Sequence, residues 1–324
     1  MLSSKNSASG QRIWLISAAA AALIAAALRR WQLSSAFEEA TGLAIRGAQA
    51  SVILMCVLII AGAWFVLLSM HQRPAQPRKP GQAYPWDLVF LGTGDRVFPI
   101  LEIAAAFLAI ASVPILFIVG VGQFQLYQEA LTAHVQPPTN NGMLTLATAA
   151  GAFLAALGLL QMGRDGLRPG RRGRGGFAAA LPGVAGCIWL MESFRAHAAN
   201  PVQWDYAPQL IAIVLGMGFY MDFAGMSAGV ARPRRLLWMA GMTVIFSAVS
   251  LVSGLAELSA RTAMAEPLLC TQLGDVLLLV SQMLAAVGAL WRLPPHLESP
   301  QKARKNAPEQ PALEQEIQEE TTDE

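Results

Sequence analysis

Apolar residues in this chain run in long unbroken blocks, separated by short polar stretches. Eight blocks stand out, at 13–28, 48–70, 99–123, 143–162, 177–194, 208–230, 236–258 and 268–291. A helix needs about 20 mainly apolar residues to cross the hydrocarbon core of a bilayer. In lipid the backbone must satisfy its own N–H and C=O groups, so helix is the predicted form. The blocks also lack the period-two alternation of a barrel strand. The expected fold class is all-α: a polytopic transmembrane helical bundle of about eight spans. Residues 1–12 read as a cytoplasmic tail and 13–292 as the membrane domain. Residues 293–324, rich in Pro, Gln and Glu, are too polar to bury an apolar face and read as a disordered acidic cytoplasmic tail.

The first block is the weakest, being short and Ala-rich. Lys5 and Arg12 precede it, as in a secretory signal, but Arg29 and Arg30 follow the apolar run directly and no clean small-x-small site stands there. Those flanks favour a retained anchor.

Charge then sets the orientation. Lys and Arg favour cytoplasmic loops. Of the 23 Lys and Arg residues, 18 fall in the tails and every second connection, and 5 in the others. Both termini are therefore expected in the cytoplasm, of the kind of cell membrane found in prokaryotes. Arg29, Arg30 and Arg46 are the discordant cluster. The connection 163–176 holds Arg164, Arg168, Arg171, Arg172 and Arg174. It reads as a topology anchor, and more sharply as a contact for anionic lipid headgroups. The connection 71–98 begins as a Pro-rich linker and ends with Trp86, Leu88, Val89 and Phe90, suited to the headgroup level.

Composition agrees with a bilayer solvent: 54% of residues are hydrophobic and 14% charged, against roughly 25% charged in soluble domains. The basic residues lack interleaved aromatics, so a nucleic-acid surface is not expected. Cys56, Cys187 and Cys270 are too scattered for a disulfide framework or a metal site, and read as buried apolar filler.

Chemical motifs are absent. The four histidines, His71, His134, His197 and His296, all fall in connections or tails, which disfavours haem or zinc between helices. There is no G-x-x-x-x-G-K-[ST] run and no G-x-S-x-G. No cofactor, metal site or nucleophile–base set is visible, so an enzyme is not expected.

Small and polar stripes mark the last three blocks. Residues at i, i+4, i+7 and i+11 share one helix face. In the seventh block these are Thr243, Ser247, Ser250 and Gly254, with Glu257 one step on; in the eighth they are Thr271, Asp275 and Gln282. In the sixth they are Gly218, Asp222, Gly225 and Gly229. The glycines suit close helix packing. An Asp within a span costs about 2.5–3.5 kcal/mol on insertion scales, and packing alone does not require a carboxyl group. Asp222 and Asp275 therefore read as two rungs of a polar pathway. Glu102 reads as an interfacial residue snorkelling to the headgroups, and Glu192 and Glu257 as outer-end residues forming surface ion pairs with Arg195 and Arg261 or, alternatively, the mouth of a pathway. Two functions follow. One is a permease-like protein for a small solute, ion or lipid, with blocks six to eight lining the path. The other is a non-catalytic membrane subunit, scaffold or sensor whose stripes only pack helices.

Overall fold

The computed structural model describes residues 3–38, 43–71, 73–74, 90, 96–136, 138, 141–167, 175–198, 206–228, 232–263, 271–294 and 297–298. Each apolar block corresponds to one helix: α1 Ser3–Ser35, α2 Gln49–Met70, α3 Val97–Thr132, α4 Met143–Leu167, α5 Gly175–Ala198, α6 Ala207–Ser227, α7 Pro233–Ala263 and α8 Thr271–Arg292. Helix boundaries overrun the apolar blocks most in α1 and α3. Nothing in a polar flank forbids a helix from continuing out of the bilayer into water. Pro114 and Pro182 sit inside α3 and α5 without ending them.

Neighbouring helices run antiparallel, as residue pairs show. Trp14 of α1 stacks near Phe65 of α2, and Gln32 bonds Ser51. Gly120 of α3 meets Leu146 of α4, and Gly163 of α4 meets Ile103. Thr145 bonds Glu192 at one end of the α4–α5 pair, and Gly158 meets Ala178 towards the other. Gly186 of α5 meets Met217 of α6, and Gly218 of α6 meets Met239 of α7. Gly254 of α7 meets Val276 of α8, and Gln282 bonds Ser247. Each helix thus traverses the bundle, and the start of α1 and the end of α8 share one face. That terminal face also carries the α2–α3, α4–α5 and α6–α7 connections. The opposite, distal face carries the others.

At the terminal face Arg73–Pro74 (β1) pairs antiparallel with Leu297–Glu298 (β2). The linker and the tail, both expected to be unpaired, are tied together here over two residues. The rest of the tail, Gly229, Arg168, Arg171, Arg172, Arg174 and Cys270 lie outside the described residues, as does the side chain of Thr271.

Helix α8 is the hub, packing against α1, α3, α6 and α7. With α3, α4, α5 and α6 it closes a ring. Side chains facing inward are largely small: Ala105, Ala109, Ala152, Ala156 and Ala285 are buried. The outside is inverted relative to a soluble protein. Leu23 is 72% exposed, Ile59 and Ile60 66%, and Phe107 63%. Such contiguous apolar surface is not tolerated in water but matches acyl chains. Among the described residues, seven helices are long and apolar enough to cross a membrane, and α5 is not one of the seven. Its antiparallel register with both α4 and α6 nonetheless carries it from one face to the other. The chain is a multi-pass membrane protein.

The cysteine expectation needs correction. Cys56 and Cys187 face outward from the bundle instead of filling it.

Candidate functional site

Parts of the α7 and α8 stripes line a cavity of about 230 Å³ at the distal face, between the ends of α1 and α7 and the starts of α6 and α8. Asp275, five residues into α8, lines it together with Gln209, Tyr206, Ser250, Glu257 and Gln272. Its carboxylate is held from two sides. Trp189 Nε1 of α5 donates to Oδ1 at 2.7 Å, and Gln209 Nε2 of α6 donates to Oδ2 at 3.3 Å. Helices α5, α6 and α8 are thereby joined through one charged side chain. The indole N–H and the carboxylate each answer a need that hydrocarbon cannot.

Arg29 accounts for one of the three charges in the discordant cluster. It is 2% exposed, and its Nε donates to Ser253 Oγ at 2.8 Å while Nη1 donates to Gln32 Oε1 at 2.6 Å. Ser253 lines the same cavity. This arginine therefore serves the bundle interior and is no guide to which side of the membrane its loop occupies.

Beyond Asp275, towards the terminal face, a smaller cavity of about 40 Å³ lies inside the helix ring. Trp189 lines it too, so the Trp189–Asp275 pair stands between the two spaces. Gln282, Ser281, Tyr220 and Thr148 complete its polar lining. Gln282 Nε2 donates to Ala212 O at 2.8 Å and approaches Ser247 Oγ at 3.4 Å. The amide packs tightly over Gly216, so a larger residue there would displace it. Ser281 Oγ donates to Ala105 O of α3 at 2.7 Å.

Still nearer the terminal face, Glu102 of α3 is fully buried, and among the described residues neither carboxyl oxygen has a hydrogen-bond partner. The expected snorkelling does not occur, because α8 covers it: a methyl group on Gly288 would stand 3.6 Å from Oε1. Below Glu102 the bundle is closed by aromatic rings. Phe223 lies 4.8 Å from Phe90, 5.7 Å from Phe219 and 6.1 Å from Phe98, centroid to centroid.

The remaining sequence candidates distribute around this axis. Asp222 lines neither cavity. Its Oδ2 sits 2.8 Å from Arg235 Nε, off the N–H direction, which makes an ion pair and not an aligned hydrogen bond. Arg235 opens α7 and is half exposed, so this pair belongs to the terminal face. Asp222 and Asp275 are thus near opposite ends of the bundle. Thr243 is buried with its hydroxyl unpartnered among the described residues, and Ser250 turns back to Phe246 O at 2.8 Å. Gly218 and Gly254 do admit neighbours closely: added methyls would lie 3.3 Å from Met239 Sδ and 3.0 Å from Val276 Cγ2. Gly225 is half-buried. Glu192 is buried, 3% exposed, and accepts a hydrogen bond from Thr145 Oγ1 at 3.2 Å, with Gln123 Oε1 3.0 Å from the same hydroxyl. It is not the surface residue expected. Trp189 and Gln209 escaped the sequence reading. The available signal was an indole and an amide inside apolar blocks, each obliged to find a partner. Comparison with known proteins finds no matching family model, no matching curated protein and no matching solved structure.

Proposed function

We propose that the protein is a permease-like carrier for a small polar solute or cation, received in the distal cavity and bound at Asp275. One observation carries the reading: a carboxylate inside a lipid-facing bundle, oriented by Trp189 and Gln209, lines a cavity of about 230 Å³. Helix packing alone gains nothing from such a void, since membrane helices associate through close van der Waals contact. The second cavity, the Gln282 amide and the phenylalanine cluster continue the same axis towards the other face. That succession of site, polar middle and closed end suits alternating access. No covalent chemistry is assigned.

The excess of Lys and Arg at the terminal face supports placing both termini in the cytoplasm and the Asp275 cavity outside, in a cell membrane. Arg164, exposed near the end of α4, is available to anionic headgroups. The tight glycine contacts of α6 and α7 favour a packing role for that part of the stripes, which is what a scaffold reading requires of them.

Asp275→Asn is the direct test. Loss of one charge-assisted hydrogen bond, about 1.5–3 kcal/mol, weakens ligand binding roughly ten- to 150-fold. Native mass spectrometry of the purified protein is expected to reveal a small polar species that Asp275→Asn loses and Asp222→Asn keeps. Identical spectra from all three proteins, each accumulating normally, contradict a binding role for Asp275.

A further inference from the structure

The carboxyl of Glu102 has no evident structural use. It is fully buried with both oxygens unpartnered among the described residues, facing α8 at Gly288. Leucine fills such a place without polar atoms to desolvate. What a carboxyl group adds is a removable proton.

We infer that Glu102 is a proton-binding site on the path, exchanging its proton with the inner cavity by way of Tyr220. Tyr220 supplies the connection. It lines the cavity, as does Ala109, which stands two turns along the same face of α3 from Glu102. The other acidic groups on the surrounding helices are committed elsewhere, and the cations Arg96, Arg164 and Arg292 stand at the terminal-face ends of α3, α4 and α8. Asp222, two residues from Tyr220 on α6, pairs with Arg235. Asp165 of α4 accepts from Gln161 Nε2 at 3.0 Å through both oxygens. Helix α8 has no titratable side chain between Asp275 and Arg292.

The step is a simple transfer. A hydronium ion in the cavity gives a proton to the Tyr220 oxygen as the phenol passes its own to a Glu102 oxygen, leaving water and a neutral acid; release reverses it. The neutral acid fits the apolar pocket, whereas the carboxylate demands a donor or water, and the cavity beside Tyr220 is the nearest space for either. The aromatic cluster of Phe90, Phe98 and Phe223 separates this site from the terminal face, so exchange runs towards the distal side. The inference rests on the permease reading in one respect: a proton bound here is positioned to couple to solute movement along the same axis.

Infrared difference spectroscopy on the full-length protein in lipid vesicles tests it. As the bath pH is stepped, the C=O stretch of a protonated carboxyl is expected to come and go, and to shift when water is replaced by heavy water. Glu102→Gln should abolish that component, Asp275→Asn should retain it, and Tyr220→Phe should slow the heavy-water shift. The shift is read on the unmodified protein, so it does not depend on any variant folding. A spectrum unaltered in Glu102→Gln, or a carboxyl band insensitive to pH and heavy water, overturns the proposal. Loss of ligand binding in Asp275→Asn has no bearing on this band, so failure of the carrier reading is seen separately.

Discussion

Phe223→Ala is expected to lower the stability of the bundle by about 3 kcal/mol, the low end of the range for a buried aromatic truncated to alanine. Phe223 is 1% exposed and its ring touches those of Phe90, Phe98 and Phe219. In water the loss would combine a transfer cost with the cost of the cavity left behind. Hydrocarbon is as apolar as the side chain itself, so in a bilayer the cavity and the lost aromatic contacts dominate. Reversible unfolding in mixed micelles measures the difference. Phe117→Ala, where the ring is 56% exposed on the lipid face, is the matched control and should change little. Equal effects at the two positions mean that the four rings do not form a packed closure.

Gly158→Leu should cost as much or more. An ideal methyl at Gly158 already runs into the carbonyl oxygen of Ala178 and stands 3.1 Å from Pro182 Cδ and 3.2 Å from Leu181 Cβ. The obstacle is backbone on α5, which cannot rotate aside as a side chain can. Overpacking a good interface costs typically 1–3 kcal/mol, and a backbone obstacle pushes towards or beyond the upper figure, about 3 kcal/mol. Helices α4 and α5 must then separate, taking Trp189 away from Asp275. The same unfolding measurement reads the stability, and the Trp189 fluorescence of a variant lacking the other tryptophans reads the separation. A Gly158→Leu protein as stable as the parent would show that α5 is not docked on α4 along this line.

The fold was legible in the sequence because hydrocarbon imposes a length and a composition that few other environments do. Eight apolar blocks gave eight helices, with ends displaced where polar flanks continue the helix. The site was less legible. Charged residues were judged by their distance from the ends of their own blocks, while their surroundings depend on which neighbour covers them. Glu102 lies six residues into α3, near enough to an end to snorkel, yet α8 closes over it at Gly288. Asp222 has the depth of a pathway residue, but Arg235 opens the next helix beside it. Arg29 sits in a flank that normally reports topology and turns inward to Ser253. Asp275 was found by its helical stripe, whereas Trp189 belongs to a helix with no stripe to mark it.

Whether a membrane separates the Asp275 cavity from the Asp222–Arg235 pair is tested most directly by labelling single cysteines with a membrane-impermeant maleimide in intact cells. Cys56, Cys187 and Cys270 are first replaced, and Glu257→Cys and Arg235→Cys are made separately. The expected result is labelling of the cysteine at 257 from outside, and of that at 235 only after the membrane is opened. Labelling of both from the same side, or of both only after lysis, contradicts a bundle that spans the bilayer with its cavity on the outer face.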